Sequence, residues 1–393
     1  MTLTLQTAEG AITFSPLVEA KREAVRAACL ELLPARAAQM DLDHQPALDI
    51  LAEFRSRRLT ADCYLIPTTL GGDGLGLITH CAVIEEIAKV SGAFANTVCS
   101  TAIGPSVFSR EAPEPLRERY LPRFAEGALT CWAGTEPVGG TDVANWKVRA
   151  ERVAGGWRVR GSKWFVGHAS IAQIFIVTAR AEDGFVSLVV ERGAEGLRTG
   201  PRGNTTGFRG FDRSAIVFDD VFVPEENTLA LGKAAFKMVF RFADWYRPAI
   251  AAISLGLAEG ALAYATRYTR KREVFGRPVL AHQLPGFQLA DVATEIEAAR
   301  GMVYAAAHHI DECGLGERPG EATRLGICAR LAATTMAPSA IARCQQVMGA
   351  HGYLRDHPLD RAYRDAAMFH AGFGTNHTEI LRLAEMTGCE RSF

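Results

Sequence analysis

Cys131 to His168, CWAGTEPVGGTDVANWKVRAERVAGGWRVRGSKWFVGH, sets a glycine-rich polar turn just ahead of strand-like segments. The turn is Thr135-Glu136-Pro137-Val138-Gly139-Gly140-Thr141-Asp142. Small residues let backbone approach a large flat ligand closely, and free N–H groups there meet phosphate or ring carbonyls. Beyond it, Lys147 to Val153 and Trp157 to Val166 alternate bulky and polar residues around Ala154-Gly155-Gly156. That pattern predicts a β-hairpin, with Trp157 and Trp164 as sheet-packing residues.

Moving outward, Ile174–Thr178, Val186–Val190 and Ser214–Phe218 continue the strand pattern, and Val221-Phe-Val-Pro224 closes it. The first third of the chain reads as helical instead. Leu17 to Ala38 carries Val18, Val25, Ala28 and Leu32 at helical spacing with Pro34 near its end; Pro46–Arg57 and Ile78–Val90 follow the same rule. A glycine-rich loop, Leu70 to Gly76, lies between the last two, and Ser91-Gly92 stops the third. The last third is helical again: Phe236–Arg272, Gln283–Cys313, Glu321–Met348 and Thr375–Met386. Helices, then strands, then helices argue for an α+β chain of separately packed units rather than an alternating α/β fold. The expected divisions are an N-terminal helical domain over 1–128, a central β domain over 129–232 and a C-terminal helical domain over 233–393.

The chain has 393 residues, 48% hydrophobic and 22% charged, with a formal net charge of −1. That balance gives no electrostatic case for nucleic acid or an anionic membrane as partner, and no uninterrupted apolar run reads as a membrane span. The N-terminal stretch MTLTLQTAEGAITF has no basic segment followed by an apolar one, so a cytoplasmic protein is expected. Nine cysteines are scattered without C-x-x-C spacing. They read as reduced, mostly buried thiols, and no metal site is expected.

Several separated motifs resemble the acyl-CoA dehydrogenase family of flavoproteins, and the likeness covers almost the whole chain. Besides the T-E-P turn there is Gly161-Ser-Lys-Trp-Phe-Val166, similar to the family's G-x-K-x-W-I run. Phe218-Asp-Asp-Val-Phe-Val-Pro224 resembles the segment leaving its β domain. Arg272-Glu-Val-Phe-Gly276 with Gln283 is similar to its R-x-x-F-G…Q signature, and Gln346-Val-Met-Gly-Ala-His-Gly-Tyr353 to its Q-x-x-G-G-x-G-[YF] turn. Tyr363-Arg-Asp365 and Gly374-Thr375-Asn376 complete the set. The resemblance implies a helical N-terminal domain, a barrel-like central sheet and a C-terminal four-helix bundle, with FAD bound at a subunit interface of a homotetramer or homodimer. It also implies that Thr135, Gly140 and Thr141 lie along the isoalloxazine and pyrophosphate, with Phe165 and Gly167 at the flavin ring. Arg272, Phe275 and Gln283 of a neighbouring subunit would hold the pyrophosphate and adenosine half together with Gln346, Gly349 and Gly352. Thr375 would flank the adenine end.

The reaction implied is α,β-dehydrogenation of an acyl thioester, carried on CoA or on a carrier protein. A base takes the α-proton while the flavin takes the β-hydride. The family's usual base is a Glu directly before the G-T pair; here that residue is Phe373. A minority of the family place the Glu one residue before an Arg on a long helix; here the Arg is Arg247 and its predecessor is Tyr246. A Thr common near flavin N5 is replaced by Gly167, with His168 following. Substitute bases are Asp244, three residues before Arg247 and so able to pair with it, and Tyr246, His370 and His168. Two further readings remain open on the sequence: a flavin-dependent monooxygenase on the same fold, which needs no α-proton base, and a non-catalytic subunit of a mixed acyl-CoA dehydrogenase complex.

Overall fold

A computed structural model describes residues 6–8, 11–317 and 319–389. Part of the N-terminal stretch read for a leader, residues 1–5 and 9–10, lies outside them. A small pair of strands, β1 (Gln6–Ala8) and β2 (Ala11–Thr13), precedes eight helices: α1 (Pro16–Leu32), α2 (Pro34–Asp43), α3 (Leu48–Ser56), α4 (Ala61–Tyr64), α5 (Leu77–Ala88), α6 (Gly92–Ser100), α7 (Ile103–Glu111) and α8 (Glu114–Ala125). Pro34 therefore opens a new helix rather than ending the first. Its missing N–H is harmless at a first helical position. Every residue of α5 is buried, including Glu85 and Glu86. The charges of these two are met by Arg300 with Tyr304, and by Arg22, Arg26 and Lys89.

The central sheet holds β3 (Thr130–Ala133), β4 (Arg149–Val153), β5 (Gly156–Gly167), β6 (Ile174–Ala181), β7 (Gly184–Glu191), β8 (Leu197–Arg202), β9 (Arg213–Pro224) and β10 (Thr228–Leu231). Its order is β10-β7-β6-β4-β5-β9-β8, with β3 parallel to β6. β7 also comes close to β9, four strands further along that path, so the sheet curls over on itself. The β4–β5 hairpin pairs Arg149 with Arg160 through to Val153 with Gly156. The alternation of bulky and polar residues predicts this strand from Lys147. The structure starts it two residues later, because the Lys147 and Val148 N–H groups are bound to the Glu136 carboxylate.

The C-terminal part comprises α9 (Gly232–Lys271), the short strands β11 (Glu273–Val274) and β12 (Arg277–Pro278), α10 (Gln283–Cys313), α11 (Glu321–Val347), α12 (Pro358–Ala367) and α13 (Asn376–Met386). α9, α10 and α11 pack on one another, α5 lies along α9, and α12 and α13 lie on α11. α9 and α11 are long and apolar enough to cross a membrane by length and composition, which the sequence reading did not register. Their most apolar windows are 67% and 56% buried inside the fold, where they serve as core helices. All nine cysteines are free thiols, six of them buried.

Candidate active site

Glu136 and Lys163 form the foundation of the site. The Lys163 ammonium, fully buried, donates to the Gly134 carbonyl and to Glu136 Oε1, each at 2.9 Å. The same Glu136 carboxylate accepts from the Lys147 and Val148 amides. Burial pulls the Lys163 ammonium down to about 8, with Glu136 opposing that fall. Charges out of water persist only where they are paired and hydrogen-bonded. This pair explains why the T-E-P turn and the G-x-K strand occur together: the acid of one is neutralised by the base of the other. The Trp164 amide, donating to the Thr135 carbonyl at 2.7 Å, adds a second tie.

The turn is thereby fixed beside a bulge in β5. Ladder partners run from Lys163–Ile216 to Val166–Ser214, so Trp164 and Phe165 together oppose one residue of β9. Phe165 has φ +52° and is 57% exposed, with Trp164 edge-on at 5.8 Å. A large ring is presented on the surface one residue after Trp164, whose amide is tied to Thr135 at the start of the turn. Just past the end of β5, His168 is fully buried at φ +62° and neither ring nitrogen has a hydrogen-bond partner. Burial lowers it to about 4, against the pull of Asp212, so it is neutral at pH 7. An exposed aromatic face, a Thr/Gly turn and an orphaned buried imidazole are features that fit a flat heteroaromatic group such as a flavin.

Gly167 has a packing reason. A Cβ there would stand 2.7 Å from Phe211 Cζ, so the ring of Phe211 fills the space that a side chain would take. Across the ladder Gly167 pairs with Arg213, whose guanidinium lies 5.1 Å from the Phe211 ring centre and 5.8 Å from that of Phe373. Phe373, at φ +60°, packs tilted against Tyr246, ring centres 5.0 Å apart. The aromatic series continues through Phe242 at 5.1 Å to Trp132 at 4.5 Å. The wall where the family's usual base would stand is thus made of rings and one guanidinium. Arg330 of α11 holds the loop that carries Phe373. Its Nη1 donates to the Phe373 carbonyl at 2.7 Å and its Nη2 to the Gly372 carbonyl at 2.8 Å.

The candidate bases fall elsewhere. Asp244 is buried in an ion network, where Arg247 and the Thr323 hydroxyl donate to it. Arg247 also reaches Glu379, a buried acid on α13, at 3.1 Å. Asp244 and Arg247 therefore join α9 to α11 and α13. Tyr246 is buried with its hydroxyl beside Cys99 and Ser100, and burial pushes its phenol well above the ordinary value. It keeps its proton at neutral pH. His370 is exposed, and its Nε2 meets the Thr334 carbonyl at 3.1 Å. Thr375 caps α13, accepting from the Thr378 amide at 3.1 Å. Arg213 and Glu379 were not singled out in the sequence. Arg213 follows Asp212 at a strand start and reads there as a surface charge, so only the fold reveals its burial.

The remaining motif residues gather in a second group. Phe275, 96% exposed, tips the β11–β12 hairpin after Arg272, and its ring meets His282, just before Gln283. Gln346 lies near the end of α11 and accepts from Gln288 at 3.5 Å. Gly352 is structural, since a Cβ would stand 2.1 Å from the Gln345 carbonyl oxygen. Among the described residues no hydrogen bond or ring contact joins this group to the Thr135–Phe165 rim. Tyr246 and Lys271 are both on α9, 25 residues apart, which at the helical rise is about 37 Å.

Three family models match the chain: the acyl-CoA dehydrogenase N-terminal domain over residues 16–128, the middle domain over 131–221 and the C-terminal domain over 236–387. The chain is 32% identical over 375 residues to cyclohex-1-ene-1-carbonyl-CoA dehydrogenase of Syntrophus aciditrophicus, covering 93% of this chain and 89% of that one. It is 30% identical over 392 residues to the mitochondrial isovaleryl-CoA dehydrogenase of Oryza sativa, covering 96% and 92%. Among solved structures, butyryl-CoA dehydrogenase from Megasphaera elsdenii matches with a TM-score of 0.90 at 26% identity, covering 96% of this chain and 99% of that one.

Proposed function

The chain belongs to the acyl-CoA dehydrogenase family, and on that premise we propose that it is a flavin oxidoreductase removing two hydrogens from the α and β carbons of an acyl thioester. The observation that carries this reading is the Glu136–Lys163 clasp, which sets the Thr135–Thr141 turn beside the exposed ring of Phe165. The named relatives are acyl-CoA dehydrogenases, which favours dehydrogenation over oxygenation. FAD is the flavin that the motifs suit. When bound, it supplies the acceptor for the β-hydride.

The chain's own residues then have separable tasks. Thr135, Gly140 and Thr141 line one edge of the ring site, and Phe165 covers a face of it. Phe211, Phe373 and Tyr246 form an apolar wall around Arg213, and keeping water from such a wall strengthens any electrostatic interaction beside it. Arg213 lies against that wall as a cation. At Phe373 a proton acceptor is replaced by a ring, so the α-proton must leave to a group other than the usual carboxylate.

The separation along α9 bears on assembly. A span of about 37 Å between Tyr246 and the Arg272 hairpin is longer than a dinucleotide cofactor. The second group on one chain therefore suits the flavin of another copy, which supports a homo-oligomer, a homodimer or homotetramer. CoA or a carrier protein is the expected carrier of the acyl group.

The test is anaerobic. The purified holoenzyme is mixed with a panel of acyl thioesters and the flavin absorbance is followed. Bleaching with formation of the enoyl product supports the reading; an unreduced flavin across saturated, branched, cyclic and acidic acyl groups rejects it.

A further inference from the structure

Arg213 carries a charge that the chain does not neutralise. Its side chain is more than nine-tenths buried, and its Nε and Nη2 have no hydrogen-bond partner. Among the described residues no carboxylate lies within ion-pair distance of it. Its neighbour Asp212 is committed elsewhere, accepting from the Ser170 amide and hydroxyl, Ser214 and Arg202. The guanidinium instead has Phe211 and Phe373 rings on its flanks. Burial lowers it to about 10 while Tyr246 and Asp212 oppose that fall, so it is cationic at neutral pH. Ring faces recover only part of the cost of desolvating a cation, and an unpaired buried charge is strongly unfavourable. Such a group is held where a ligand completes it.

We infer that Arg213 receives a carboxylate on the acyl portion of the substrate, so that the preferred substrates are thioesters of dicarboxylic acids. This rests on the reading of the pocket as an acyl-thioester site. The guanidinium fork matches a carboxylate through two parallel N–H donors. Phe373 is part of the same device. A Glu at that position would neutralise Arg213 within the chain and repel a second carboxylate, whereas a phenyl ring leaves the cation available. Arg213 stands opposite Gly167 in the ladder, so the carboxylate it holds lies near the reacting end of the acyl group, which favours short chains.

The experiment compares dissociation constants on the oxidised holoenzyme by calorimetry, pairing glutaryl-CoA with valeryl-CoA and succinyl-CoA with butyryl-CoA. In the unaltered enzyme the acidic member of each pair should bind at least about tenfold more tightly, as a charge-assisted hydrogen bond allows. Arg213→Met should bring the ratio near unity, and Arg213→Lys should keep part of it. Phe373→Glu, which leaves Arg213 in place, should also erase the preference, and it serves if Arg213→Met does not fold. A ratio near unity in the unaltered enzyme, or one that survives both changes, overturns the proposal. Free glutarate separates the two layers of the argument. If no thioester binds but glutarate does, and Arg213→Met abolishes it, the carboxylate receptor stands and the thioester reading falls. If neither kind of ligand binds, both fall.

Discussion

Restoring the family's usual Glu at position 373 should fail to create an efficient base unless Arg213 is removed as well. The Phe373 ring centre lies 5.8 Å from the guanidinium carbon of Arg213, and a Glu carboxyl extends about as far from its Cα as a phenyl centre does. At 5.8 Å and an effective dielectric of about 20, two unit charges attract by about 3 kcal/mol, which lowers a carboxylate by about 2 pH units from its ordinary value near 4.3. A carboxylate so stabilised is a poor acceptor for an α-proton, since general-base catalysis weakens as the pKa of the base falls. Phe373→Glu alone should therefore bleach flavin slowly with butyryl-CoA. Phe373→Glu with Arg213→Thr should be faster by about tenfold or more, with its pH–rate inflection at higher pH than the single variant's. Stopped-flow absorbance under nitrogen, with flavin content checked first, reads both rates. If the single variant is as fast as the double, Arg213 does not act on position 373 and the electrostatic reasoning fails.

Other outcomes follow from the geometry. Glu136→Gln or Lys163→Met leaves one buried charge alone, and each should cost about 3–5 kcal/mol in denaturant unfolding together with loss of flavin on gel filtration; the double change should recover much of that loss. Gly167→Thr should not reinstate the family's hydroxyl. Its Cβ would press on Phe211 at 2.7 Å, at a cost of about 1–3 kcal/mol seen as a lower Tm, and Phe211→Leu should relieve it. Burial alone would raise Glu86, but Arg26, Lys89 and Arg22 outweigh it and hold the carboxyl at about 2. Its contribution to stability is present above the unfolded value of about 4.3 and fades as pH falls toward 2. Glu86→Gln should flatten the acid limb of stability over that window, and an unchanged limb would count against the assignment.

The order of helices and strands was legible because apolar periodicity reports local geometry directly. Boundaries were less so where a side chain took over a backbone role. Lys147 has strand character, but its amide is bound to Glu136, eleven positions away, which no local pattern encodes. Pro34 looked like the last turn of a helix because a proline ends one helix or begins the next with the same ring. At the site, the roles of Thr135 and Phe165 are what the family resemblance implies, and the absence of a carboxylate at 373 was plain. Arg213 was missed because charge at a strand start is ordinary at a surface. Its burial depends on Phe211, Phe373 and Tyr246 arriving from three separate segments. Asp244 and Tyr246 were named for their chemistry, and what decides their behaviour is which helices pack around them.

The joined acid and base beneath the turn also constrain how this chain can vary over generations. Replacing either Glu136 or Lys163 first strands the other in the interior, so a lineage cannot easily lose the two one at a time. They form a single inherited character written at two places in the chain, and distant kin should keep both or lack both.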